Sequence, residues 1–161
     1  MSLTSLLPFF KWCDQTWLGE WIRGSTWVFP FIETFHILAL TIFYGTLMII
    51  NLRLLGLGLR RQPVRELTAT LAPYMWVSLT VILTSGSMLF VSEAMKSFAN
   101  DGFRVKMVLL FFALVFQFTV FRKVIASDEA QVPPLWAKLV ALASITLWLG
   151  VGAAGRAIAF V

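Results

Sequence analysis

Four long apolar stretches dominate the chain, from about Trp27 to Leu55, Pro73 to Ala94, Phe103 to Phe121 and Leu135 to Phe160. Each is close to the ~20 residues that carry a helix across the hydrocarbon of a bilayer. The runs are continuously apolar where barrel strands would alternate, so they predict helices. Ser25 and Thr26 precede the first run, and Pro30 sits in its opening turn. Pro73 is expected to open the second, Asn100 and Asp101 to cap the third, and Pro133 with Pro134 to open the fourth. A different pattern comes before them, over about residues 5–23. Leu6, Phe10, Cys13, Trp17 and Trp21 recur at helical spacing, with Lys11, Asp14, Gln15, Glu20 and Arg23 between them. This segment is too short and too charged to span. It predicts an amphipathic helix lying in the interface as an anchor, a lid over a pocket or a docking surface. With no linker or internal repeat, the expected fold is all-α: one integral membrane four-helix bundle over 1–161, with an N-terminal interfacial helix.

Composition agrees. Hydrophobic residues make up 59% and charged residues 13%, against about half and about a quarter in soluble domains, which points to lipid as the solvent. Fifteen Phe and seven Trp suit membrane interfaces. The net charge of +5 does not indicate nucleic acid, because the cations sit between apolar runs as positive-inside anchors. The first link holds Arg53, Arg60, Arg61 and Arg65 against Glu66, and the third holds Arg122, Lys123 and Lys138 against Asp128 and Glu129. Both are expected to be cytoplasmic. The balanced second link (Glu93, Lys96, Asp101, Arg104) and both termini then face outward, in a bacterial inner (cytoplasmic) membrane. The N-terminus lacks the basic region and cleavage site of a signal peptide and is expected to remain. A single cysteine, Cys13, excludes an intrachain disulfide and a cysteine-based metal cluster.

This topology gathers polar residues in the outer half of the bilayer. His36, the only histidine, lies about nine residues inside Trp27, roughly 13 Å down the first helix. Glu33 is one turn above it on the expected same face. Lys106 falls in the first turn of the third helix and Arg156 near the outer end of the fourth. Ser85, Ser87, Ser92 and Glu93 fall on the outer half of the second. Ionisable groups at such depth are costly, and usually face the bundle interior, paired or functional. The plain readings are a helix-to-helix hydrogen bond for His36 and an ion pair of Glu33 with Lys106 or Arg156. The cations have one too: snorkelling to headgroups.

As chemistry, neutral imidazole is an axial ligand for haem iron. Gly45, Gly86, Gly150, Gly152 and Gly155 would give a porphyrin room between helices, or serve close helix packing. Lys106 would be either the opposite ligand or a pocket cation, and Arg156 would pair a propionate. Nucleotide-binding glycine motifs and HExxH are absent. Met75, Met88, Met95 and Met107 show no tight grouping for copper, and core filling suits them better.

Two stretches carry a resemblance. His36-Ile-Leu-Ala-Leu-Thr-Ile-Phe-Tyr-Gly45 with Asn51-Leu-Arg53-Leu-Leu-Gly56, and Phe103-Arg-Val-Lys106-Met-Val-Leu-Leu, resemble helices of the HemJ-type protoporphyrinogen oxidases and the related copper-resistance D membrane proteins. That resemblance implies haem b as cofactor and His36 and Lys106 as the functional pair. A fuller pattern resembles a family of uncharacterised bacterial four-helix membrane proteins. It comprises Ser25-x-Trp27-x-Phe29-Pro30-x-Ile32-Glu33-x-x-His36, Leu89-Phe90-x-Ser92-Glu93-Ala94, Phe103-Arg-x-Lys106 and Gly155-Arg156-x-Ile158-Ala159-Phe160.

The expected function is therefore haem b binding, with electron transfer or porphyrin- or quinol-type redox chemistry; as an enzyme it would be a membrane oxidoreductase. The expected site comprises Glu33, His36 and Lys106, with Arg156, Gly45, Ser85 and Glu93 around the cofactor and His36 on the metal. Expected partners are the lipid bilayer and a second copy or a redox subunit. The alternatives are a non-enzymatic subunit or anchor of a larger complex, and a small copper-handling protein or transporter.

Overall fold

The computed structural model describes residues 6–58, 61–127 and 132–158, and every regular element among them is helical. Arg60, Asp128, Glu129 and the expected end of the fourth span at Phe160 fall outside the described residues. Two short helices, α1 (Leu7–Asp14) and α2 (Trp17–Gly24), precede α3 (Val28–Leu55) and α4 (Val64–Ser92). A short α5 (Ala94–Ala99) leads into α6 (Asp101–Phe116). A π-helical stretch, Gln117–Phe121, joins α6 to α7 (Arg122–Ala126), and α8 (Pro134–Ala157) closes the bundle.

Among the described residues four helical units are long and apolar enough to cross a membrane: Val28–Leu55, Val64–Ser92, Asp101–Ala126 and Pro134–Ala157, with mean hydropathies of 1.8, 1.6, 2.0 and 1.7. Only 28% to 33% of each apolar window is buried within the chain. The remaining apolar surface faces outward, so the surrounding medium is lipid.

Several starts follow the expected chemistry. The Ser25 hydroxyl accepts from the Val28 amide at 3.3 Å and the Asn100 side chain from the Phe103 amide at 3.2 Å. Pro133 and Pro134 open α8. The second span differs. It begins at Val64 behind Pro63, nine residues before Pro73, and Pro73 lies inside it. A proline there removes the donor to the carbonyl of Ala69, a loss that membrane helices tolerate with help from neighbours. The extra turns fold because Val64, Leu67 and Thr68 point into the bundle. The expected single interfacial helix is two, broken where Thr16 turns extended (φ −70°, ψ 141°) and caps α2 by accepting from the Gly19 amide.

The spans pack in the order α6–α8–α3–α4, with α3 most intimate with α4 and α6 with α8. Phe43, Ile50, Met75, Ala113, Phe121, Ala141 and Trp148 form the buried centre, where Phe43 meets Trp148 edge-on at 4.5 Å. Stacked aromatic pairs join α4 to the third span: Phe90–Phe103 at 5.3 Å, between the end of α4 and the start of α6, and Trp76–Phe118 at 5.2 Å, between the middle of α4 and the π-helical stretch. Gly56, at φ +77°, ends α3: its amide reaches the Arg53 carbonyl and the Leu57 amide the Leu52 carbonyl, a left-handed stop suited to glycine.

The α1–α2 hairpin docks on the far end of α4 and on α5. Phe10 inserts between Phe90 (5.5 Å) and Phe98 (5.2 Å). Arg23 donates to the Asp14 carboxylate (2.7 Å), the Asp14 carbonyl (2.6 Å) and the Ser92 carbonyl (2.8 Å). Its other face leaves Trp12, Trp17 and Trp21 exposed, an aromatic surface suited to the lipid interface.

Candidate functional site

His36 sits on α3 two turns before Tyr44, facing α4. Its Nδ1 lies 2.8 Å from the Ser85 hydroxyl, which lies 2.5 Å from the Val81 carbonyl of its own helix. Two oxygens that close need a hydrogen between them, and a serine hydroxyl has one. Ser85 therefore donates to Val81 and accepts from His36. The network places the imidazole proton on Nδ1 and leaves the Nε2 lone pair available, the arrangement that metal-binding histidines obtain from a second hydrogen-bond partner. Gly86 lets the ring close on α4: a Cβ there would stand 3.3 Å from His36 Cε1. The Ile82 carbonyl also meets the ring, and Lys106 is near enough for its charge to act on it.

Lys106 extends from α6 along α8. A Cβ at Gly155 would stand 3.6 Å from both its Cε and its Nζ. Among the described residues its half-buried ammonium has no hydrogen-bond acceptor or acidic partner. An ammonium at this depth favours a lone pair or an anion brought by a ligand. By position along α4 and the third span, Ser85 and Lys106 lie between the two aromatic bridges, Phe90–Phe103 and Trp76–Phe118.

The other expected residues divide. Ser85 and Gly86 belong to the site. Arg156 is exposed at the end of α8, next to the glycine against which Lys106 lies, and has an interaction partner of its own. Glu33 is exposed, with no ion pair among the described residues. Three residues along a helix turn it about 60° away from His36, enough to point it outward. Glu93 pairs with Lys96 at the α4–α5 junction. Gly45 is exposed, and a Cβ there would meet nothing, so it gives no room to a ligand between helices.

The other glycines expected to make room are filled by the chain's own side chains. Gly152 receives the Tyr44 hydroxyl, which donates to the Trp148 carbonyl; a Cβ at 152 would lie 2.8 Å from that oxygen. Gly150 receives Leu109. Beneath the site runs a polar layer that apolar periodicity does not reveal. Gln117, fully buried where the π-helix begins, accepts from the Trp148 indole at 3.2 Å and donates to Met75 Sδ at 3.4 Å. Met75, one of the methionines considered for copper, is thus a core acceptor. Asn51 donates to Ser144 at 3.2 Å, and its side-chain oxygen has no partner among the described residues. Amides and a tyrosine inside apolar runs were the available signal, since buried polar groups in lipid require partners.

No curated protein and no solved structure matches this sequence. A family model does match, over residues 9–161, and the chain belongs to that family, which is described as one of unknown function (DUF6644).

Proposed function

We propose that the protein binds haem b within the membrane and works in electron transfer or in redox chemistry on a porphyrin- or quinol-type substrate. One observation carries the reading: Ser85 holds the His36 proton on Nδ1, which leaves Nε2 as a fixed lone-pair donor at membrane depth. Neutral imidazole with its second nitrogen so engaged suits an iron ligand. The resemblance of the His36 and Lys106 runs to HemJ-type proteins supports the same pair.

The donor set fits the group. Space does not come from Gly86, Gly150, Gly152 or Gly155, which neighbouring side chains occupy, nor from Gly45, which is exposed, so a porphyrin would have to use the partly exposed side of the His36 ring. His36 would hold the iron. Lys106 would be a second ligand or pair a propionate, and Arg156 is a second cation at that end. With one histidine per chain, bis-His ligation would require a second copy. When bound, haem supplies a one-electron carrier. Ser85 orients His36, and Glu33 would exchange protons at the exposed rim.

The proposed location is a bacterial inner membrane with the His36 end outside. Arg53, Arg61, Arg65, Arg122, Lys123 and Lys138 gather towards the other end, as positive-inside anchoring requires. A second reading, a non-enzymatic subunit of a larger complex, draws on Glu33. An exposed carboxylate in the second turn of a span is a ready contact for a partner's cation.

The test is a reduced-minus-oxidised spectrum of the purified protein. Wild type should show a haem band and His36→Ala should lose it. Ser85→Ala should keep it with affinity lower by about 10- to 100-fold, the usual effect of removing a ligand's outer partner. No band in wild type, or the same band in His36→Ala, overturns the proposal. Cofactor-free protein that co-purifies with a larger partner supports the second reading.

A further inference from the structure

Along the row α6–α8–α3–α4 each span packs backbone against backbone on the next, which leaves α4 and α6 as the two ends of the row. Among the described residues, side chains close this fourth side of the bundle. Phe90–Phe103 bridges it at the end of α4, and Trp76–Phe118 bridges it further along. Leu83 lies two turns from Phe90, and Leu110 lies two turns from Phe103. The antiparallel register therefore sets Leu83 across from Leu110, and both are partly buried against the core. Between this leucine pair and the Phe90–Phe103 stack run about 10 Å of helix. Over that length, helical spacing turns only Gly86 and Ser87 of α4 towards α6. Gly86 has no side chain, and the Ser87 hydroxyl is tied to the Leu83 carbonyl of its own helix at 2.7 Å. His36 stands directly behind, with its Cε1 3.3 Å from where a Gly86 Cβ would be. Lys106 lies on α6 at the same level. Gly86, His36 and Lys106 are only partly buried, although each is on the inner side of its helix.

We infer that this gap between α4 and α6 is a lateral window, through which a planar lipophilic ring compound dissolved in the bilayer reaches His36 and Lys106. The inference rests on the proposed site at His36 and adds its route of entry. A gap between spanning helices opens onto hydrocarbon. A polar solute would have to give up its water to arrive there, at a cost of several kcal/mol. A lipophilic ring is already at that depth, and the Phe90–Phe103 stack offers it aromatic faces and edges. On the other three sides a ligand would have to part close-packed helices. Here it has only to displace side chains.

The experiment illuminates the full chain in liposomes that contain iodonaphthyl azide, a ring probe confined to the bilayer, and maps the labelled residues by peptide mass spectrometry. Wild type should carry label at His36 and Ile82 as well as at the lipid-facing Val77 and Leu149, which are 64% and 53% exposed. Ser87→Trp alters an exposed position and lays an indole over the gap. It should lose the label at His36 and Ile82 and keep it at Val77 and Leu149. Leu83→Ala, which trims the side chain across from Leu110, should raise the label at His36. Thr84→Trp, on the exposed face of α4, should change neither set. Three results overturn the inference: no label at His36 or Ile82 in wild type, the wild-type label there in Ser87→Trp, or no gain in Leu83→Ala. None of these readouts needs haem. A protein without a haem band whose His36 label is lost in Ser87→Trp would refute the haem reading and keep the window.

Discussion

Gly19→Ala should undock the N-terminal hairpin. A Cβ at position 19 would stand 2.8 Å from the Val91 carbonyl oxygen, 3.2 Å from Thr16 Oγ1 and 3.3 Å from Val91 Cγ1. The nearest of these is backbone of a spanning helix, which cannot rotate aside. Ordinary contact begins at 3.4 Å, so α2 must back away by about 0.6 Å, and Ile22, fully buried one turn on, must move with it. Overpacking of this kind costs about 1–3 kcal/mol. At about 1.4 kcal/mol per decade, the undocked fraction rises about 5- to 150-fold. Cys13 reports on that opening, because it is the only cysteine and is buried in α1. Its labelling by a maleimide at pH 7 should accelerate by that factor in Gly19→Ala and stay unchanged in Gly24→Ala, where a Cβ meets nothing. Burial pushes the docked Cys13 thiol above its ordinary range. The undocked thiol therefore sheds its proton first. Docking is fully stable below the ordinary thiol pKa of about 8.5 and weakens as pH rises through it. Gly19→Ala protein that labels as slowly as wild type would refute the backbone clash.

Two further substitutions address the bundle itself. Gln117→Leu strands the Trp148 indole proton and should destabilise the protein by about 1–3 kcal/mol, the cost of an unsatisfied buried donor, read as a lower midpoint in detergent unfolding. Gly152→Ala sets a Cβ 2.8 Å from the Tyr44 hydroxyl and should lower the thermal midpoint, whereas Gly45→Ala should leave it unchanged or slightly raised.

What could be read from the sequence follows from which physical signal each feature leaves. The four spans were legible because lipid demands long uninterrupted apolar runs. The Asn100 cap and the Pro133–Pro134 start were legible as local chemistry. The start of α4 was not, because Arg65 and Glu66 mask the inward turn of Val64, Leu67 and Thr68, and Pro73 imitates a boundary. The His36–Ser85 contact was legible only as a shared depth. The first span is apolar around nearly its whole circumference, so the pattern does not say which side faces the other helices. That same ambiguity set Glu33 beside His36. The glycines signalled close approach without naming the occupant, which proved to be His36, Tyr44, Leu109 and Lys106 from neighbouring helices.

The Arg23–Ser92 bond has a bearing on biosynthesis. The two residues are 69 apart in the chain, so at about 5–20 residues per second some 3–14 s pass between their syntheses. The hairpin is made first but cannot dock until the second span has been completed and inserted. During that interval its tryptophan face has only the lipid surface to rest on, and Phe10 and Cys13 are uncovered. The end of α4, where Arg23 meets the Ser92 carbonyl, waits for the same event. A chain beginning at Val28 would insert its spans with that carbonyl deprived of its donor, which makes the N-terminal segment the last piece of the second span to arrive as well as the first to be made.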